Sequence, residues 1–283
     1  MVLGSMRYNN ETYWKELHGS FNGRLKAVGW PSLSESFNEA KYLSETQSFL
    51  DALEFCPLTS KSPVRLLEIG IGIGFWTSLL MERLSKFDFH MTGLDISEDA
   101  LAVVRARFPD VELEQADLRT VNPDLFLHRF DLVTALMVLL HLTVPSEFDN
   151  ALRFAARSVR PEGTLLLYEP AITETYSPWL VGKMAAGNSL ARRLDAYDEA
   201  LSAEGLKRVA MLPGASWVLN SPIEAANEFS FHLRRAAWYV LSRSAFRFEG
   251  PSKLVSPLAL RLDVLLKRGA GPGSGKFLVY RRL

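Results

Sequence analysis

Apolar positions in the first sixty residues recur at helical spacing. From 39 to 56 they fall at Tyr42, Leu43, Phe49, Leu50, Leu53 and Cys56, the stripe of an amphipathic helix. Pro57 and Pro63 bracket the break that follows. The rhythm then changes. Short apolar, β-branched runs at 64–71, 90–96, 111–116, 130–139 and 164–169 read as buried strands, and helical patterns at 74–84, 98–108 and 148–159 separate most of them. Strands alternating with helices predict a parallel sheet covered on both faces, with any ligand beyond the C-terminal strand ends. After Pro170 the pattern loosens. Residues 177–205 read as helical with Gly205 as C-cap, 206–212 as a sixth strand, 222–268 as mostly helical and 277–282 as a final strand. The expected organisation is a helical entry segment at 1–60, an α/β core at 61–217, and at 218–283 a basic helical insertion with the last strand.

The length of 283 residues suits one large domain or a domain with an appendage. The single cysteine, Cys56, excludes an intrachain disulfide and a Cys-based metal site. The five histidines show no ligand spacing, so no dedicated metal site is expected. No apolar run is long enough for a signal peptide or a membrane span, and cytoplasmic chemistry is the natural reading. The 32 basic and 32 acidic side chains cancel, which argues against a general polyanion binder. The cancellation hides a split: from 233 to 283 there are eleven Lys/Arg against two acids. Three readings of that segment stay open: a solvated basic face, a docking face for an anionic acceptor or acidic carrier, and a membrane-surface or RNA contact. Interleaved leucines and the lack of a Lys-rich tail weaken the nucleic-acid reading. An insertion of this size is expected to cover the substrate side or to join two copies of the chain as a homodimer.

The most informative stretch is Leu67-Glu68-Ile69-Gly70-Ile71-Gly72-Ile73-Gly74-Phe75. An apolar strand enters three alternating glycines, where the backbone can turn sharply and approach a ligand. The dinucleotide pattern needs a small residue at 75 and meets Phe75. Glu68 would repel a pyrophosphate and attract an ammonium or sulfonium ligand. Asp95 ends the next strand, where a carboxylate can accept from both hydroxyls of a ribose, and Asp117 ends the third.

With FDLV at 130–133 and RPEG at 160–163, these motifs resemble the class I S-adenosylmethionine-dependent methyltransferases over about residues 60–170. The resemblance implies a Rossmann-like, doubly wound, mostly parallel seven-stranded sheet, with N-terminal helices and a C-terminal helical cap. It implies S-adenosyl-L-methionine as donor and S-adenosyl-L-homocysteine as product. Glu68, Gly70, Gly72 and Gly74 would surround the methionine part, Asp95 the ribose, Asp117 the adenine amine, and Ile96 and Leu118 the adenine ring. Trp14, with Tyr8 and Tyr13, resembles the aromatic entry helix of small-molecule members, where a ring can face a sulfonium.

Methyl transfer needs alignment, and a hydroxyl acceptor also needs its proton removed. His141, just past the fourth strand, reads as that base or as a packed, capping histidine. Glu169, at the end of the fifth strand, reads as facing the pocket or as structural. His232 could reach in from a lid, whereas His18, His90 and His128 read as surface or strand-end residues. The expected acceptor is a small molecule, a specialised metabolite or a sugar, with a hydroxyl oxygen favoured. The alternatives are nitrogen or carbon, a peptide, protein or RNA, and a non-catalytic cofactor-binding subunit.

Overall fold

The computed structural model describes residues 10–21, 23–58, 63–184, 187–269 and 273–283; Tyr8 lies outside them. Two helices come first, α1 (Asn10–Phe21) and α2 (Glu35–Leu53). Ser34 caps α2, its hydroxyl accepting from Phe37 N–H. The core follows as β1 (Val64–Ile69), α3 (Phe75–Leu84), β2 (Phe89–Asp95), α4 (Glu98–Arg107), β3 (Glu112–Gln115), β4 (Phe130–Leu136), α5 (Pro145–Ser158) and β5 (Val159–Glu169). The two-residue strands β6 (Ala171–Ile172) and β7 (Arg192–Arg193) pair with each other. Then come α6 (Leu194–Ala203), β8 (Leu206–Pro213), α7 (Glu228–Arg243), α8 (Glu249–Gly269) and β9 (Lys276–Arg282).

The seven main strands lie in the order β3-β2-β1-β4-β5-β9-β8, parallel except for β9, which runs antiparallel between β5 and β8. This is the mostly parallel, doubly wound sheet that the motifs implied. The strand order reverses between β1 and β4, which puts the ligand crevice above their C-terminal ends.

Period-two alternation divides the core. Leu67, Val133, Leu165, Leu167, Leu278 and Tyr280 face one layer with α5 and α6. Leu66, Leu132, Leu166, Tyr168, Phe277 and Val279 face the other, under α2 and α3. At the end of β5 the same alternation sends Tyr168 to one face and Glu169 to the other. Tyr168 stacks on Phe277 at 4.1 Å, between glycines so close that a Cβ at Gly214 or Gly275 would come within 2.6 Å of its ring.

Two local expectations change. Residues 177–205 are not one helix: only Leu194–Ala203 is helical, because Pro178 and Gly182, with φ at +67°, break the stretch before it. Gly205, at φ +79°, does end the chain's turn after α6. The insertion forms α7 and α8 around a third apolar cluster with α2, built on Phe37, Ala40, Trp238, Phe246 and Ala259. Its outward faces leave Phe229, Leu233, Val240, Leu254, Leu258 and Leu265 exposed.

The Tyr168 slot gives a direct test. Gly275→Ala is expected to cost about 1–3 kcal/mol through overpacking, read from the urea unfolding midpoint. An unchanged midpoint would show that the ring can shift aside.

Candidate active site

Above the C-terminal ends of β1, β2 and β4 lies a cavity of about 420 Å³. Ala116, Asp117 and Leu118 line it together with Ile96, Asp95, Gly70 and Gly72; Trp14, His18, Lys41, Glu45, His141 and Asn188 also contribute to its wall.

Gly70, Gly72 and Gly74 hold φ of +69°, +55° and +75°, and a Cβ at Gly70 would come within 2.4 Å of Val138 Cγ2. The loop is therefore a cradle that only bare backbone fits. Asp95 fixes its height. One carboxylate oxygen accepts from Gly72 N–H (2.9 Å) and the other from Ser97 N–H (2.9 Å). Burial raises its pKa, opposed by those N–H bonds and by nearby His18. From behind, Arg107 donates to Ile73 O at 2.8 Å.

Glu68 and Gly74 do not line the cavity. Alternation along β1 turns Glu68 beneath the loop, where it accepts from the Thr77 hydroxyl at 2.7 Å. Burial pushes its pKa up to about 8, and its second oxygen has no partner among the described residues. Gly74 instead caps α3 in a left-handed conformation. Asp117 reaches the wall, but the Arg119 guanidinium grips both its oxygens, with Nη2 to Oδ2 at 2.6 Å. Burial pushes the Asp117 pKa up, but the Arg119 bonds outweigh it and hold it below the usual range.

His141 sits on a single 3-10 turn (Leu139–His141) after β4. Its Nδ1 lies 2.6 Å from Asn188 O. A carbonyl only accepts, so Nδ1 carries the proton and the neutral ring presents Nε2 as its basic atom. Burial lowers the pKa to about 4, keeping the ring neutral at physiological pH. The Trp14 ring meets it edge-on at 4.8 Å.

Glu169 is not at the cavity wall, which corrects its reading as a pocket residue. It is fully buried and spans the start of the His141 turn. Val138 and Leu139 N–H donate to one oxygen (3.1 and 2.8 Å), and Leu140 N–H donates to the other (2.9 Å). Burial pushes its pKa up to about 8 against the pull of these three bonds. Glu169 is therefore a positioning residue for the turn, satisfying N–H groups that a turn start leaves unpaired.

Other assignments also move. His232 lies exposed on the outer side of α7, 3.5 Å from Glu228, and does not reach the cavity. His18 is only 6% exposed and lines it. None of the basic residues from 234 to 282 lines it. Lys267 and Lys276 turn inward but pair with Asp263 and Glu224. The cavity's ammonium group comes from Lys41 on α2, paired with Glu45 at 2.7 Å. The spacing of Lys41 and Glu45 along an amphipathic helix was the available signal for that pair. Asn188, in an irregular loop, had none.

A cradle shaped for bare backbone, an acid on its rim and an apolar slot at Ile96 and Leu118 fit an adenosyl ligand carrying a cationic methionine tail. The family model described as a methyltransferase domain matches residues 66–163. Residues 66–163 are thus a methyltransferase domain, in agreement with the resemblance to the class I S-adenosylmethionine-dependent methyltransferases. A trans-aconitate 2-methyltransferase from Methylobacterium nodulans is 34% identical over 164 residues, 56% of this chain and 60% of that protein. A dTDP-3-amino-3,6-dideoxy-α-D-glucopyranose N,N-dimethyltransferase from Streptomyces fradiae is 29% identical over 48% of this chain and 51% of its own length. The chain thus spans between half and two thirds of these relatives. The magnesium protoporphyrin IX methyltransferase of Synechocystis PCC 6803, solved with S-adenosylhomocysteine, shares the fold at a TM-score of 0.56 and 12% identity, over 96% of this chain and 98% of that one.

The half-buried His141 makes stability pH-dependent with a definite sign. Its folded pKa, about 4, lies below the ordinary 6.5, so the unfolded chain takes up the proton first. The contribution of neutral His141 is full above about pH 6.5 and is lost as pH falls toward 4. His141→Gln is expected to flatten this part of the profile, seen as a smaller drop in urea midpoint between pH 7 and pH 5 than in the wild type. Equal drops would place the titration elsewhere.

Proposed function

We propose that the protein transfers a methyl group from S-adenosylmethionine to a small organic acceptor, with a hydroxyl oxygen as the favoured acceptor atom. The observation that carries this reading is the pairing, in one cavity, of the glycine cradle with a neutral His141 whose proton is held on Nδ1.

When bound, the donor supplies an electrophilic methyl carbon on a sulfonium. The chain's residues do the rest. Gly70, Gly72 and Asp95 hold and orient the donor, and Ile96 and Leu118 flank its base. Trp14 and Leu140, with Trp30, exclude water from the acceptor end. His141 Nε2 accepts the hydroxyl proton as the oxygen lone pair forms the new bond to carbon. Alignment supplies most of the acceleration, because the thioether is already a good leaving group. Glu169 contributes by keeping the His141 turn in register.

Two features support a compact acceptor. The cavity is of small-molecule size, and the relatives above are named for a tricarboxylic acid and a nucleotide sugar. A polymeric anion finds no support at the site, since the basic insertion turns its cations outward or pairs them inside. A nitrogen acceptor, as the Streptomyces relative's name describes, would need less from His141, because a neutral amine attacks without prior proton removal.

Calorimetry and turnover separate the parts. Asp95→Ala is expected to weaken S-adenosylhomocysteine binding by at least tenfold; unchanged affinity would remove the donor assignment. A screen with methyl-labelled donor against small hydroxy and amino acceptors identifies the substrate. With a hydroxyl acceptor, His141→Ala should lower kcat by about 10²–10⁴ while leaving S-adenosylhomocysteine affinity near normal. A near-normal kcat would return His141 to a packing role. Glu169→Gln, which keeps one accepting oxygen, should lower kcat less than His141→Ala.

A further inference from the structure

His18 is a buried polar side chain at the donor end of the cavity with no hydrogen-bond partner among the described residues. It lies on α1, one turn after Trp14, so the two rings share the helix face that lines the cavity. Their centroids are 5.6 Å apart. His18 is 6% exposed, and neither ring nitrogen has a hydrogen-bond partner among the described residues. Leaving such a group unpaired is costly, so a buried ring with two unpaired nitrogens marks a place where a ligand belongs.

The surroundings identify that ligand. Asp95 and Asp99 act on His18 electrostatically, and Asp95 also lines the cavity. Burial lowers the His18 pKa against the pull of these two acids, so the neutral ring carries one N–H and one bare nitrogen. A carboxylate can only accept. A ribose hydroxyl held by Asp95 therefore spends its proton there and leaves its oxygen lone pairs facing outward. An N–H on the opposite wall completes it.

We infer that His18 is a donor-binding residue: its ring N–H donates to a ribose hydroxyl whose proton lies on Asp95, clasping the sugar between α1 and the end of β2. The inference rests on the donor reading above and extends it to the entry helix. It gives α1 a hydrogen bond that it lacks without ligand, so donor binding and the seating of Trp14 against His141 become linked events.

The test compares S-adenosylhomocysteine with its 2′-deoxy and 3′-deoxy analogues by calorimetry, on wild type, His18→Leu and His18→Gln. His18→Leu is expected to weaken S-adenosylhomocysteine roughly tenfold, but to cost almost nothing with the analogue that lacks the clasped hydroxyl. His18→Gln, which keeps an N–H donor, should fall between. Without ligand, His18→Leu should melt at or above the wild-type temperature, because it removes an unpaired buried polar group. Unchanged S-adenosylhomocysteine affinity, or an equal loss for all three ligands, overturns the clasp and leaves donor binding intact. Failure of the wild type to bind S-adenosylhomocysteine overturns the donor reading and the clasp together.

Discussion

The acceptor end of the site hangs from two adjacent residues at the end of β5. Tyr168 and Glu169 point to opposite faces because strand side chains alternate. On one face the Tyr168 hydroxyl donates to Glu45 at 2.6 Å, and Glu45 holds Lys41. On the other, Glu169 collects three N–H groups of the turn that carries His141. The main chain joins in, with Met137 N–H donating to Tyr168 O at 2.7 Å. Met137 adopts a φ of +60°, a costly conformation for a non-glycine residue that the surrounding bonds hold in place. One strand end thus sets the distance between the Lys41–Glu45 wall and the His141 wall. The packing of Tyr168 between Gly214 and Gly275 therefore bears on the cavity walls as well as on the core.

At the donor end the governing term is desolvation. Glu68 and Asp95 are both buried, and burial raises both pKa values. Burial of one carboxyl beneath the glycine loop and of the other at the cavity wall disfavours their charged forms. A sulfonium and an ammonium on one ligand supply the opposite charge. On the proposed donor reading, this burial favours a cationic ligand over an anionic dinucleotide.

Much of this was legible in the order of residues. Glycines at alternate positions after an apolar run have few physical explanations besides a close backbone approach, and Asp95 follows from its place at a strand end. The sheet itself was readable because buried strands and amphipathic helices carry different periods. What escaped has a common cause: periodicity says which face of an element is buried but not what lies against it. His18 looked like a surface residue because its burial comes from the fold around α1. Glu169 looked like a pocket residue because a strand end near a ligand crevice offers two faces, and only the neighbouring turn decides between them. The stretch before α6 looked helical because its apolar spacing outweighed the breaks at Pro178 and Gly182.

The charge split resolves through α2. Of the insertion, Asn220 lines the cavity and the described basic side chains do not, yet α8 braces a helix that does. Glu249 of α8 accepts from Glu35 N–H at 3.1 Å, placing a carboxylate where the α2 dipole is positive. Ser34 reaches Ser252 at 2.6 Å, and further along Ser44 bonds Asp263 while Lys267 donates to Ser44 O at 2.7 Å. Asp263 and Lys267 of α8 turn toward α2, and Glu249 reaches its first turn from the surface, so the segment's two acids are both engaged with α2. Lys41 lies along α2 between the Ser34 and Ser44 anchors, and Glu45 directly follows Ser44. The insertion thus influences the acceptor wall by fixing the rotation of a helix, a role that its net charge does not reveal.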